Sequence, residues 1–217
     1  MMSTVKTKQI DVRSLPVYVI NLKEDAVKRE SLRHQLESFG FKDITFFPGV
    51  RHKIKKLGVA TSHNKLLKHL QTLENPYPCL VLEDDVSIYD KKEFISVPLD
   101  ADAFYLGHSS FGIYGRVGQK QISLSQLGPD LFKIHNMLAA HAIVYLNNRY
   151  VEFLDQATEF QISIIDNQDK ARAQTMKYWN IYASQKPMFY QNGSHEAVTK
   201  IILPSKSFGG PERSHTI

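Results

Sequence analysis

The sequence predicts an α/β fold, a single domain built on a mostly parallel central sheet. In the first hundred residues, short apolar runs alternate with segments of helical period. Residues 79–82 (CLVL) are apolar without a break, as in a strand covered on both faces. The chain has 217 residues, 42% hydrophobic and 23% charged. At that length a compact fold removes roughly 70% of its unfolded surface from water, so a sizeable core is available.

Residues 1–14 are polar and read as an N-terminal tail. Residues 15–22 (LPVYVINL) are β-branched and aromatic and predict the first strand. A helix is expected over 24–39, with Glu24 and Asp25 at the positive end of its dipole and Gly40 as a left-handed cap. Residues 44–47 predict a second strand, ended by Pro48-Gly49. A second helix is expected over 60–73, its apolar face formed by Leu66, Leu67, Leu70 and Leu73. It stops at Asn75-Pro76 because the residue before proline is driven out of helical geometry. The strand 79–82 follows. Beyond it, 103–106 and 142–146 read as strands, 148–157 as a helix and 188–190 as a last strand. The polar stretch 107–128 reads as a loop or hairpin near a site, and 205–217 as a flexible tail. The folded unit is therefore placed at 15–204.

Composition narrows the function classes. Lysine and arginine outnumber acids 27 to 22, a net charge of +5, which suits a polyanion, an anionic membrane surface or a phosphorylated small molecule. The single cysteine, Cys79, sits in an apolar run and reads as a buried thiol. It excludes an internal disulfide framework and a multi-cysteine zinc cluster. No apolar run approaches the roughly 18 residues of a membrane span, and the N-terminus lacks a signal-peptide core. A soluble cytoplasmic protein is expected, with contact at a membrane surface allowed by its charge.

The strongest chemical signal is Glu83-Asp84-Asp85, directly after a buried strand. Three adjacent carboxylates repel one another and are costly to cover. A divalent cation offsets that repulsion, and oxygen ligands suit Mg²⁺ or Mn²⁺, which bridge carboxylates to phosphates. Alternation along an extended chain puts Glu83 and Asp85 on one side and Asp84 on the other. Asp85 is the expected metal ligand, with Glu83 assisting toward metal-bound water or a ribose hydroxyl. A solvated strand-end loop is the competing explanation. Ligands of open α/β sheets bind beyond the carboxyl ends of the strands, so Asn21 can share the crevice with the acids. Arg29, Lys53, Lys55 and Lys56 add positive charge, although a solvated loop explains the lysines equally. Gly58 to His63 (GVATSH) offers small residues and hydroxyls at an expected helix start, suited either to an anion or to a cap at Ser62.

Taken together, Val19 to Leu22 with Arg29, then GVATSH, then Leu80 to Val86 (LVLEDDV) resemble the successive motifs of glycosyltransferase family 25, the lipooligosaccharide and procollagen galactosyltransferases. The resemblance continues in Phe104 to Gly107 (FYLG) and Ala139 to Asn148 (AAHAIVYLNN) and covers roughly residues 16–195. It implies a GT-A type fold over the 15–204 unit and a nucleoside diphosphate sugar donor, with UDP the first choice. It also implies a glycan or glycoprotein acceptor, no nucleic acid partner, and inversion at the anomeric carbon. Asn21, Arg29, Ser62, His63, Glu83 and Asp84 then match nucleotide-sugar-binding positions, and the acidic triplet matches the metal motif. The chain departs from the family at Val59-Ala60-Thr61 and after residue 107, where the acceptor would be selected.

Inverting transfer needs a base for the acceptor hydroxyl. Asp166, which resembles the family's hydrophobic-aspartate segment, is the candidate, with Asp169 and Glu159 competing; an N-cap role is the plain alternative. His195 is expected to complete the metal site, and His215 competes. His108 and His141 fall near strand ends, and Tyr105, Tyr114, Trp179 and Tyr182 suit either stacking or core packing. Two other classes stay open: a metal-dependent phosphodiesterase or nuclease, and a non-catalytic sugar- or nucleic-acid-binding module.

Overall fold

The computed structural model describes residues 5–109, 112–113 and 122–192. The strands are β1 (Thr7–Asp11), β2 (Val17–Asn21), β3 (Ile44–Pro48), β4 (Cys79–Glu83), β5 (Val86–Ile88), β6 (Phe94–Pro98), β7 (Ala103–Tyr105), β8 (Ser123–Gly128), β9 (Leu131–Asn136), β10 (Ala142–Tyr145), β11 (Ile181–Ser184) and β12 (Phe189–Gln191). The helices are α1 (Ala26–Phe39), α2 (Lys55–Thr72), α3 (Asn148–Ser163) and α4 (Gln168–Thr175).

The fold is α/β, and its centre is an eight-stranded sheet ordered β3-β2-β4-β10-β7-β11-β9-β8. The expectation of a mostly parallel sheet is corrected: the sheet is mixed. The β3–β2, β2–β4 and β11–β7 pairs are parallel. The β10–β4, β10–β7, β11–β9 and β8–β9 pairs are antiparallel. Helical crossovers in the first hundred residues enforce parallel pairing, whereas β10 inserts against β4 in the opposite sense and β8–β9 is a hairpin. Two small sheets, β1–β6 and β12–β5, flank the main one.

Strand β4 shows why the sheet is buried on both sides. Leu80 and Leu82 point into one core with Val17, Val19, Leu32 and Leu36; Cys79 and Val81 point into the other with Leu66, Leu67 and Leu70. The period-two alternation of an unbroken apolar run thus feeds two cores, with α1 over one face and α2 and α3 over the other.

Other boundaries also differ from expectation. Residues 7–14 are not a tail, because β1 pairs with β6 along its whole length and a 3₁₀ turn follows. Helix α2 begins at Lys55, five residues early, so Lys55 and Lys56 lie in its first turn. Helix α4 went unseen because its eight residues are polar and lack a clear period. The 205–217 tail lies outside the described residues.

Gly58 is required by close approach. A Cβ there would lie 2.7 Å from the Val50 carbonyl oxygen of the loop that feeds α2. The end of α3 is the opposite case. The Asp166 N–H bonds the Gln161 carbonyl and the Ile165 N–H bonds that of Ile162, a Schellman closure whose left-handed position normally belongs to glycine. Here Ile165 occupies it at φ 55°. Two substitutions should therefore invert their usual signs. Gly58→Ala, which helix propensity favours by about 1 kcal/mol, is expected to lower the melting temperature by several degrees. Ile165→Gly is expected to raise stability by about 1 kcal/mol in urea denaturation.

Candidate active site

Strands β2 and β4 run parallel and end side by side, with Ile20 opposite Glu83. Their carboxyl ends therefore present Asn21 and the Glu83-Asp84-Asp85 turn to one crevice. The Asn21 side-chain amide donates to Asp84 Oδ2 at 2.7 Å and to the Asp25 carbonyl at 3.2 Å. Lys28 Nζ lies 3.7 Å from the other Asp84 oxygen. On the opposite side of the turn, Gln191 Nε2 donates to Glu83 Oε2 at 3.0 Å and touches both Asp85 oxygens at 3.2 and 3.1 Å. The shared Gln191 amide puts Glu83 and Asp85 on one side of the turn, and Asn21 holds Asp84 on the other. A groove of about 270 Å³ opens beside them, lined in part by Lys28, Ser31, Gln35, Asp84, Asp85 and Asn192.

Behind Glu83 the network continues into the core. His63 Nε2 is 2.9 Å from Glu83 Oε1, and His63 Nδ1 is 3.3 Å from Arg172 Nη2. That same guanidinium nitrogen donates to the Tyr145 hydroxyl at 3.1 Å. A guanidinium has only donors, so Nδ1 must accept and carry no proton. The ring proton therefore sits on Nε2 and is donated to Glu83. Burial and the Arg172 charge hold the His63 pKa down to about 3, so the ring is neutral and the His63–Glu83 contact is a hydrogen bond rather than an ion pair.

The acids respond in the opposite direction. Burial raises Glu83 to about 7, with Asp84 adding to the rise and Arg172 opposing it. Asp85 is raised to about 6 by burial and then by the Glu83 charge, against the Gln191 hydrogen bond. Asp169, in α4, is also raised to about 6, by burial and then by Glu83. Its Oδ1 is buried without a partner.

No family model matches the chain, and no curated protein matches it.

The geometry brings together Asn21, His63, Glu83, Asp84 and Asp85. Ser62 lies within α2, not at its start. Its hydroxyl donates to the Gly58 carbonyl and accepts from the Val50 N–H, both at 2.7 Å, so it holds the β3–α2 connection. Arg29 contacts Glu30 on its own helix, and Lys28 is the α1 cation that reaches the acids. Asp166 is paired with Lys170 at 2.8 Å and accepts from the Asn167 N–H, and the Lys170 bond holds its pKa below the usual range. His195, His215 and Tyr114 lie outside the described residues.

Of the aromatic candidates, Trp179 packs on Tyr150 and Phe153, and Tyr182 is buried with its hydroxyl donating to Asp100. Tyr105 is buried, as are His108 and His141. Cys79 is a buried thiol whose pKa burial pushes up to about 12. Sequence reasoning missed Arg172 and Gln191. The only hint of Arg172 was its setting between Ala171 and Ala173, small neighbours that leave room for a buried guanidinium; Gln191 carried no signal.

The donor chemistry suits a hard divalent cation. A single amide nitrogen already touches three carboxylate oxygens, which marks the point where positive charge is favoured. Among the described residues no group of three or more His, Cys, Asp or Glu side chains is arranged to hold a metal. Mg²⁺ and Mn²⁺ do not need such a cage, because water and substrate phosphate complete their coordination.

Glu83 gives this electrostatic picture a measurable sign. Its folded pKa of about 7 exceeds its ordinary 4.5, so between those values the native state binds more protons than the unfolded state. Its ionisation then destabilises the fold increasingly as pH rises through that window. In chelator-containing buffer, Glu83→Gln is expected to melt on the order of 5 °C above wild type at pH 8. The difference should shrink toward zero by pH 5. A difference independent of pH would mean that Glu83 is not held at a raised pKa.

Proposed function

We propose that this chain is a metal-dependent glycosyltransferase that moves a hexose from a nucleoside diphosphate sugar to a hydroxyl of a glycan or protein acceptor. The observation that carries the reading is the acidic turn at the carboxyl end of β4, tied to Asn21 at the end of β2. This is where open α/β sheets place nucleotide ligands. The ordered motifs that resemble glycosyltransferase family 25 fall on the same elements, and a GT-A type architecture is part of the proposal.

Asp85 and Glu83 would hold Mn²⁺ or Mg²⁺, whose contribution is to neutralise the diphosphate leaving group. Neither acid is free to reorient at random. Glu83 Oε1 is fixed by His63, which leaves Oε2 as the oxygen turned toward Asp85 and the crevice. Asp84 is pinned by Asn21 and serves to hold the β2 and β4 ends together. Lys28 adds a positive charge beside the groove, suited to a phosphate.

For the base, Asp169 takes the place first given to Asp166. A carboxylate is the more effective proton acceptor near neutral pH when its pKa is raised. Asp169 is raised and feels the Glu83 charge, whereas Asp166 is lowered and engaged with Lys170. Gln168 and Arg172, in the same short helix, are both buried and fix α4 in place.

The decisive experiment is thermal-shift binding of UDP, GDP, CMP and ADP, with and without Mn²⁺. Stabilisation by one nucleoside diphosphate of roughly 2–4 °C for each factor of ten in saturation, only with Mn²⁺, is expected. Asp85→Asn should abolish the metal-dependent part while leaving the metal-free melting temperature at or above that of wild type. No shift by any nucleotide with a folded protein would sink the transferase reading.

The two aspartates separate kinetically once a donor is known. Asp169→Asn is expected to lower kcat at least 100-fold with donor KM changed less than threefold. Asp166→Asn should stay within about threefold of wild type in both. The reverse ranking would return the base to Asp166.

A further inference from the structure

The carboxyl end of the sheet carries a second feature, on the outside of α2 and α3. Gln71 and Asn64 of α2 both reach Asp155 and Lys68 pairs with Glu159, and Tyr77, just past the end of α2, bonds Asn148 at the start of α3, so the helices run antiparallel. The start of α2 is thereby set beside the end of α3, and Lys56 is near enough to Asp166 to act on its carboxyl. This corner exposes four large apolar side chains: Ile54, Phe160, Ile164 and Ile165, between 41% and 61% accessible. Phe160 and Ile164 are one helical turn apart, and Ile164 and Ile165 are consecutive. Around them stand exposed Lys53, Lys55 and Lys56, none in an ion pair among the described residues. The acids of the corner are already matched, Glu159 by Lys68 and Asp166 by Lys170.

We propose that this corner docks the protein on an anionic lipid bilayer, with Ile54, Phe160, Ile164 and Ile165 inserted among the acyl chains and Lys53, Lys55 and Lys56 at the headgroups. Two independent observations support it. Ile165 holds a left-handed backbone at the glycine position of a helix closure, while its side chain is half exposed and packs on no core. Neither backbone preference nor packing explains an isoleucine there; an apolar contact outside the chain does. The composition also discriminates among partners. Cores of protein interfaces favour aromatic residues and arginine and are depleted of lysine. Three isoleucines and one phenylalanine beside unpaired lysines fit a negatively charged interface instead.

Docking itself does not depend on the transferase reading.

The test is co-sedimentation of the full chain with vesicles of phosphatidylcholine alone and of phosphatidylcholine mixed with phosphatidylglycerol. Binding to the mixed vesicles, little binding to the neutral ones, and weakening by salt are expected. The double variant Ile164→Ser, Ile165→Gly should bind roughly tenfold more weakly for each isoleucine removed. It keeps its fold, because glycine relaxes the left-handed position. Lys53→Gln with Lys56→Gln should cost roughly 25-fold. Leu99→Ser, at an exposed apolar site just past β6, should change nothing. Absence of vesicle binding, equal binding to both compositions, or unchanged binding by the corner variants would each overturn the proposal. So would a concentration-dependent dimer that the same variants abolish. Nucleotide binding measured on the same variants separates the two readings: lost docking with retained nucleotide binding touches only the surface.

Discussion

The interaction on which the rest of the site depends is the burial of one guanidinium. Arg172 is fully enclosed and always charged, and its acceptors are a phenol, an imidazole and the Gln168 carbonyl rather than a carboxylate. A cation in that position is costly unless negative charge stands nearby. Glu83 and Asp169 supply it at one remove, and each is in turn held closer to its ionised form by Arg172. The guanidinium thus joins α4 to β10 through Tyr145 and to α2 and β4 through His63. It also fixes the tautomer of His63, and so decides which oxygen of Glu83 is turned toward the crevice.

The same charge opposes the rise that burial imposes on two of the crowded acids, Glu83 and Asp169. One buried cation stands behind Glu83 and Asp169, while Asp84 and Asp85, held by the neutral amides of Asn21 and Gln191, have Lys28 as the cation that acts on them. The polypeptide satisfies the back of the cluster and leaves its front short of positive charge. A fold that needed only internal balance would place its cations on both sides.

Much of the frame was legible in the sequence. Strand β4 and its acidic turn follow from an unbroken apolar run that ends in three carboxylates, and α1 from its spaced leucines and the glycine that caps it. The division of Glu83 and Asp85 from Asp84 is the one alternation suggests, although a turn at 84–85 and the Gln191 and Asn21 amides produce it. Other parts were not legible, for physical reasons. Periodicity says nothing about whether a neighbouring strand runs parallel, so the antiparallel insertion of β10 was invisible. Helix α4 carries its meaning in one buried arginine, which a hydrophobic pattern registers as surface. Ser62 and Gly58 resembled an anion site because small residues and hydroxyls serve equally to let a helix and a loop touch. Gln191 reached the acids only through the pairing of β12 with β5, a tertiary event over a hundred residues away in sequence.

That last pairing has a bearing on how the molecule is made. Strands β2, β3 and β4 and helices α1 and α2 all lie within the first 83 residues, whereas the amide that bridges Glu83 and Asp85 belongs to residue 191. During synthesis the acidic turn emerges from the ribosome long before its neutral partner exists. Through that interval the nascent chain has a mutually repelling set of carboxylates and a half-built sheet, with Asn21 and Lys28 on Asp84 but no amide yet between Glu83 and Asp85. The acidic turn gains this amide only after residue 191 has been made, so the site matures later than the strands that carry it.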